Sequence, residues 1–164
     1  MVGQPVALHG QGLSGIDAKG RVTLPAELRA KIEASSEGRT LCVARHATKP
    51  CLYAYGTAER DKFLADIDRQ WEAAVARGEA FDREAAGAEL GSLCEIGFEA
   101  SGRFVMPPVL RHFGGLGERA WFHGVGGRIL IWNPDTFLAD TDPGFAQQRE
   151  MCAWFLDEAG RRAR

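Results

Sequence analysis

The stretch GIDAKGRVTLPAELR at residues 15–29 returns as GFEASGRFVMPPVLR at residues 97–111, at a constant offset of 82 positions. Seven of the fifteen aligned positions are identical, where average composition predicts about one by chance. The identical pairs are Gly15/Gly97, Ala18/Ala100, Gly20/Gly102, Arg21/Arg103, Pro25/Pro107, Leu28/Leu110 and Arg29/Arg111. The chain therefore contains two copies of one structural unit.

Each copy is expected to fold in the same way. An apolar residue, Ile16 or Phe98, ends a short strand, and a tight turn follows at Gly20 or Gly102, where glycine makes a positive φ inexpensive. A second strand leaves the turn, so the pattern predicts a hairpin with an arginine just past its tip. A proline then begins a helix, because the first helical position needs no N–H.

The remaining patterns predict further strands and helices. Strand pairs are expected at 40–44 with 51–55 and at 120–123 with 128–132. A helix is predicted over 57–77, where Phe63, Ile67 and Trp71 recur at helical spacing, with Leu64 and Val75 widening the apolar stripe. Further helices are predicted after Asp82, after Asn133 and around 145–156, the last followed by a basic tail that we expect to be exposed and disordered.

These patterns predict an α+β fold that is mainly β. We divide the chain into a first hairpin module (1–56), a helical linker (57–91), a second hairpin module (92–133), and C-terminal helices with the basic tail (134–164). A length of 164 residues is sufficient for such an arrangement to bury its own core.

The charge of the chain is close to balanced. Twenty Lys and Arg residues stand against 22 Asp and Glu residues, a formal net charge of −2, so any binding of nucleic acid must depend on local patches. Residues 17–31 carry four basic and two acidic side chains, whereas residues 58–95 carry five basic and ten acidic ones. The first segment attracts phosphate and the second repels it.

Several other classes of function find little support. The four cysteines form no C-x-x-C pair and the four histidines are scattered, so reduced thiols and no metal site are expected. Neither a signal peptide at residues 1–15 nor a membrane-spanning stretch is predicted. The pattern G-x-G-x-x-G at residues 10–15 leads into the predicted hairpin rather than a helix, and Cys51 has no identifiable catalytic base. No enzymatic activity and no cofactor are predicted.

The doubled unit resembles the MraZ family of bacterial transcriptional regulators, which carry two tandem swapped-hairpin modules of the AbrB type, a double-split β-barrel. The resemblance rests on DAKGR at 17–21 and EASGR at 99–103, and on three flanking stretches. These are PCLYAY at 50–55, LRHFGGL at 110–116 and GRILIW at 127–132. It covers most of the chain, from about Gly10 to Phe137.

The resemblance implies a cytoplasmic, nucleoid-associated repressor of the division and cell-wall gene cluster. Such a protein assembles into a homo-oligomeric ring and binds direct repeats in double-stranded promoter DNA. Its Asp-x-x-x-Arg motif falls here on Asp17 and Arg21, with Glu99 and Arg103 in the second copy. The implied DNA-binding residues are Asp17, Lys19, Gly20, Arg21, Glu99, Gly102 and Arg103.

This sequence departs from the family pattern at several points. The second acid is Glu99 rather than Asp, and Ser101 stands where the first copy has Lys19. The tryptophan usual near the start of the linker helix is missing, and Leu130 stands where an acid is usual. We therefore expect the second copy to contribute less to DNA contact.

The chemistry of the turn independently suits duplex DNA. A two-stranded ribbon fits a major groove ~12 Å wide, where arginine can bond to guanine or clamp a phosphate. Asp17 cannot bind phosphate, so its carboxylate is expected to orient Arg21 or to cap the turn.

Alternatives stay open at this stage. Arg21 and Arg103 could instead form buried pairs with an acid inside a small barrel. Salt bridges on a helix surface or between subunits are at least as well supported for Arg29 and Arg111 as DNA contact. A second class of function is an antitoxin-like module whose main partner is a protein, with DNA secondary. Such antitoxins carry one hairpin module followed by a disordered acidic tail.

One expectation concerns assembly. The apolar side chains of Phe122, Ile129, Ile131 and Trp132 exceed what two small barrels need for their cores. We therefore expect some of these side chains, or the helix faces, to be buried between subunits.

Overall fold

In a computed structural model of the protein, which describes residues 6–164, both copies of the repeat form the same succession of elements. The first copy comprises β1 (Gln11–Gly15), β2 (Arg21–Thr23), α1 (Ala26–Ala34), β3 (Thr40–Arg45) and β4 (Leu52–Tyr55). The second copy comprises β5 (Cys94–Gly97), β6 (Arg103–Val105), α4 (Pro108–Phe113), β7 (Arg119–Gly124) and β8 (Ile129–Trp132). This mixture confirms the predicted α+β, mainly β fold class. The expectations for residues 1–5, including the absence of a signal peptide there, lie outside the described residues.

Helices follow each copy and begin where the sequence predicts. They are α2 (Thr57–Arg77), α3 (Arg83–Gly91), α5 (Pro134–Ala139) and α6 (Ala146–Arg162), with a short 3-10 turn at Pro143–Phe145. The Asp82 carboxylate accepts a hydrogen bond from the Ala85 N–H at 2.9 Å, which caps α3. The Asn133 side chain accepts one from the Asp135 N–H at 3.0 Å, which caps α5. Within the described part of the chain, no helix is both long and apolar enough to cross a membrane.

The predicted disorder of the basic tail is wrong for Arg161 and Arg162. Helix α6 extends through both residues, although their side chains remain exposed. Buried Cys152 holds this helix against the core. Basic side chains in the last turn also interact favourably with the negative end of the helix dipole. The helix therefore continues through residues for which the composition alone predicted disorder.

Strands from both copies are interleaved in one six-stranded antiparallel sheet. Its order is β1-β7-β8-β4-β3-β5, and exchanging equivalent strands of the two copies reverses this order into itself. A pseudo-twofold axis therefore passes between β4 and β8. The predicted strand pairs β3–β4 and β7–β8 are both present.

The predicted local hairpins are wrong in their pairing. Strand β1 pairs with β7, β5 pairs with β3, and β2 pairs antiparallel with β6 of the other copy. The chain therefore crosses over after each turn. The physical reason is burial: the crossing places Val22 and Phe104, which are 1% and 3% exposed, in the common core.

The core contains the four apolar residues that the sequence predicts at a subunit interface. Phe122, Ile129, Ile131 and Trp132 are completely buried within the single chain, so that expectation is wrong for these four residues. They lie on β7 and β8, next to the middle of the six-stranded sheet. Trp132 packs against Phe137 of α5, whereas the alternation of side chains places Phe122, Ile129 and Ile131 on the other face of the sheet. In helix α2, Ile67 is buried, but Leu64, Trp71 and Val75 of the predicted stripe remain exposed.

Candidate nucleic-acid interface

Strands β2 and β6 form a two-stranded ribbon separate from the main sheet. Arg21 lies opposite Val105, Val22 opposite Phe104, and Thr23 opposite Arg103. Because side chains alternate along a strand, Val22 and Phe104 point inward, and the other four share the opposite side. This exposed side, which we call the outer face of the ribbon, consists of Arg21, Thr23, Arg103 and Val105.

Each strand of the ribbon follows a turn whose last residue must be glycine. We call residues 17–20 the first turn and residues 99–102 the second turn. Gly20 has φ +81° and Gly102 has φ +88°, and the backbone oxygens of Met106 and Leu24 lie against them. A Cβ atom at Gly102 would be 2.8 Å from the Leu24 oxygen. Both predicted turn glycines are therefore required by backbone conformation and by close approach.

The first turn holds Arg21 firmly. The Asp17 Oδ1 atom accepts hydrogen bonds from the backbone N–H groups of Lys19 and Arg21, both at 2.9 Å. The Asp17 Oδ2 atom accepts a third from Arg21 Nε at 2.6 Å. The hydrogen bond from the Arg21 N–H, helped by the Arg21 guanidinium, lowers the pKa of Asp17. The carboxylate thus caps the turn and orients the arginine, as the sequence predicts.

The second turn holds its arginine more loosely. The Arg103 Nε atom lies 3.5 Å from Glu99 Oε2, and the backbone N–H of Arg103 donates to Ser101 Oγ at 3.4 Å. Glutamate has one more rotatable bond than aspartate, so its carboxylate is less fixed by a turn of the same length. The exposed Lys19 of the first turn has only Ser101 as its counterpart. The second turn consequently presents one positive charge fewer.

The arginine–acid pairs are exposed rather than buried. The side chains of Arg21 and Asp17 are 43% and 42% accessible, and those of Arg103 and Glu99 are 50% and 61% accessible. The alternative of buried pairs inside a barrel is therefore wrong. Each guanidinium keeps donors that can bond to another molecule, because only Nε is occupied by the acid.

Helix arginines add charge to each turn from the opposite copy. A Cβ atom at Gly102 would be 3.1 Å from Cδ of Arg29, and one at Gly20 would be 3.6 Å from Cδ of Arg111. The salt bridges within the described residues use other arginines. The sequence left the roles of Arg29 and Arg111 undecided, although they are one of the identical pairs of the repeat. Each arginine is remote along the chain from the turn of the other copy that it approaches.

Other candidate sites offer little chemistry. Gly12 lies in β1, which leads through a turn into β2, so the glycine pattern at 10–15 opens no helix and forms no phosphate loop. Burial raises the pKa of Cys42 to about 11 and that of Cys51 to about 12, which keeps both thiols protonated. Among residues 6–164, no group of three or more histidine, cysteine or acidic side chains could hold a metal ion.

The fold and the ribbon define an internally duplicated, mainly β protein that exposes a basic two-stranded surface. No protein-family model matches the sequence. The sequence is 32% identical over 149 residues to the transcriptional regulator MraZ of Bifidobacterium longum, which covers 89% of this chain and 92% of that protein. It is 31% identical to MraZ of Azotobacter vinelandii, covering 87% and 90%, and 30% identical to MraZ of Pseudomonas savastanoi, covering 82% and 86%.

The chain belongs to the MraZ family of transcriptional regulators. The relatives are named as regulators of transcription and not as enzymes.

Proposed function

We propose that this protein is a sequence-specific DNA-binding repressor that contacts promoter DNA through the outer face of the ribbon. The observation that carries the proposal is the pairing of β2 with β6, which brings Arg21 and Arg103 onto one exposed face. Acting on direct repeats in the promoter of the division and cell-wall gene cluster, it works in the cytoplasm at the nucleoid. The contact residues are Asp17, Lys19, Gly20, Arg21, Glu99, Gly102 and Arg103.

The geometry of the ribbon supports contact with the major groove. A two-stranded ribbon fits a groove about 12 Å wide, and the two arginines lie on diagonal positions of neighbouring strands. Each guanidinium can bond to guanine O6 and N7 or to a phosphate. Asp17 and Glu99 restrict the arginine rotamers before DNA arrives, which lowers the entropy lost on binding.

The distribution of charge supports one orientation on DNA. Lys19 and Arg21 lie in or beside the first turn, and Arg111 approaches it from the second copy. By contrast, α2 and α3 lie in the segment 58–95, which carries a net charge of −5. Phosphate therefore attracts the ribbon side and repels these helices, so the ribbon meets the duplex first.

Exposed apolar side chains on two helices support assembly into a homo-oligomeric ring. On α2, Leu64, Trp71 and Val75 are 49%, 40% and 59% exposed at helical spacing, and on α6 Trp154 is 59% exposed with Met151 beside it. The two patches are unlike, because one lies on α2 and the other on α6. Two unlike patches favour head-to-tail contact between copies, and such contacts form a ring when the rotation between neighbouring copies closes. Adjacent subunits on successive repeats would then gain avidity.

The antitoxin-like alternative receives less support. Antitoxins of this kind carry one hairpin module and a disordered acidic tail, whereas the two copies here share one sheet and the segment after β8 is folded as α5 and α6. A protein that binds none of the duplexes in the titration below would favour this alternative.

The experiment that tests the proposal is a DNA titration. Fluorescently labelled duplexes that tile the region upstream of the protein's own gene are titrated with the protein between about 50 and 200 mM salt. At least one duplex should bind more tightly than a shuffled duplex of the same composition, and log affinity should fall linearly with log salt as counterions are released. Binding that ignores salt, or an equal affinity for every duplex, would contradict the proposal.

A further inference from the structure

The backbone of the ribbon is nearly symmetric. The Leu24 N–H donates to the Gly102 oxygen at 2.9 Å, and the equivalent Met106 N–H donates to the Gly20 oxygen at 2.9 Å. The turns are closed in the same way, because a backbone N–H in each donates to the oxygen of the following arginine. The backbone alone would therefore present the same surface to both halves of a DNA site and favour an inverted repeat.

The side chains of the outer face break this symmetry. Thr23 of the first copy corresponds to Val105 of the second, and each lies directly opposite the arginine of the other copy. Arg21 therefore has an apolar neighbour, Val105, whereas Arg103 has a hydroxyl-bearing neighbour, Thr23. Side chains directly opposite each other on neighbouring strands have Cβ atoms about 4.5 to 5.5 Å apart, so each pair can contact the same or adjacent base pairs.

Val105 contributes little to the core of the protein. Its side chain is 53% exposed, whereas the flanking Phe104 and Met106 are 3% and 1% exposed. Two methyl groups thus project from the ribbon beside a guanidinium, on a face that is otherwise polar. The apolar group that a base pair presents in the major groove is the C5 methyl of thymine.

We propose that Val105 contacts the C5 methyl group of a thymine adjacent to the guanine that Arg21 binds. The inference rests on the proposed function and adds a base preference to it. At the other end of the ribbon, Thr23 offers both a hydroxyl and a methyl group beside Arg103, and threonine accepts several bases. The ribbon therefore recognises a directional site, which suits direct repeats rather than inverted ones.

The test replaces single thymines by deoxyuridine, which lacks only the methyl group, in the tightest-binding duplex of the promoter titration. One replacement should weaken binding of the unmodified protein roughly fourfold, the effect of withdrawing one methyl-sized apolar group from contact. Val105→Ala should weaken binding to the thymine duplex by a similar factor and lose the response to that replacement. Val125→Ala removes a valine that is 41% exposed in the turn between β7 and β8, and this variant should respond like the unmodified protein.

A double variant separates a base contact from a general effect on the ribbon. In Thr23→Val/Val105→Thr, the methyl-sensitive thymine should move to the Arg103 end of the site, while thermal melting stays that of the unmodified protein. Specific binding in which Val105→Ala and the unmodified protein respond equally to every deoxyuridine would overturn this inference and leave the proposed function standing. Failure of all promoter duplexes to bind the unmodified protein would overturn both.

Discussion

Gly102 lies against the backbone oxygen of Leu24, a residue of the other copy of the repeat, so closely that a Cβ atom would be 2.8 Å from that oxygen. The equivalent approach occurs between Gly20 and the Met106 oxygen, at 3.0 Å. The two crossing points of the chain are therefore held together by glycines. A turn residue in this protein also serves as a packing residue between the copies.

Replacement of Gly102 by alanine should destabilise the protein in two ways. A φ of +88° costs an L-residue about 1 to 2 kcal/mol, and the new methyl group must also displace the Leu24 carbonyl. Gly126→Ala is the matched control, because its φ is +93° and nothing lies within 4 Å of the added Cβ. Urea unfolding should show a larger loss of unfolding free energy for Gly102→Ala than for Gly126→Ala. Equal losses of unfolding free energy in the two variants would mean that the Leu24 carbonyl moves aside at no energetic cost.

Arg21→Ala should weaken DNA binding more than Arg103→Ala. Loss of a bidentate guanine contact reduces affinity roughly tenfold, whereas the loosely held Arg103, without a lysine beside it, should contribute less. Both variants should melt close to the unmodified protein, because their ion pairs are about half exposed. Arg77→Ala, which removes an exposed arginine paired with Glu79 on the acidic side, is the control for lost charge.

The outcome of this comparison distinguishes binding from folding. If Arg21→Ala melted far below the unmodified protein yet bound DNA normally when folded, the role assigned to Arg21 would be wrong. If Arg77→Ala weakened binding as much as Arg21→Ala, net charge rather than the ribbon would explain the affinity.

The stability of the protein should fall in mild acid because of His123. This side chain is fully buried, its ring lies 4.8 Å from that of Phe137 and 5.2 Å from that of Phe145, and burial lowers its pKa to about 4. The unfolded chain, with a pKa near 6.5, binds the proton more readily. The free energy of unfolding should therefore decrease as the pH falls from about 6.5 to 4, by about 3 kcal/mol in all.

His123→Phe provides the check on this pH dependence. Phenylalanine keeps an aromatic ring between Phe137 and Phe145 and cannot take up a proton, so its unfolding free energy should change less over this pH range. The difference between the two urea-unfolding profiles isolates His123 from the carboxylates that titrate at lower pH. Parallel profiles would show that His123 is protonated equally well in the folded protein.

The assembly of the ring should depend on two different helix faces. Val75→Glu places a charge in the α2 patch, and Trp154→Glu places one in the α6 patch. Each variant alone should remain monomeric, because a head-to-tail contact needs both patches. An equimolar mixture should form a dimer through the one pair of intact patches. Light scattering after gel filtration measures these masses.

Two results would contradict this arrangement. An unmodified protein that remains monomeric at micromolar concentration would exclude the ring. Variants that assemble normally would show that the subunits meet through other surfaces, and a mixture that stays monomeric would show that the two patches are not partners.

The features of this protein that depend on neighbouring residues follow from its sequence. The duplication, the turns at Gly20 and Gly102, the caps Asp82 and Asn133, and the ion pair between Asp17 and Arg21 were all predictable. The duplication is visible as a repeated pattern, and each of the other features involves a backbone conformation or a hydrogen bond within a few residues. Such preferences act before any long-range contact forms and are therefore visible in short patterns.

The pairing of the strands, in contrast, is set by contacts between distant parts of the chain. Nothing local indicates that β2 pairs with β6, that Arg29 lies against Gly102, or that Val105 faces Arg21, since these partners are separated by about 70 to 85 positions in the chain. The same hydrophobic alternation fits a local hairpin and a crossed pair equally well. Burial of Val22 and Phe104 in one shared core favours the crossed pair, and the crossing alone brings both arginines to one face.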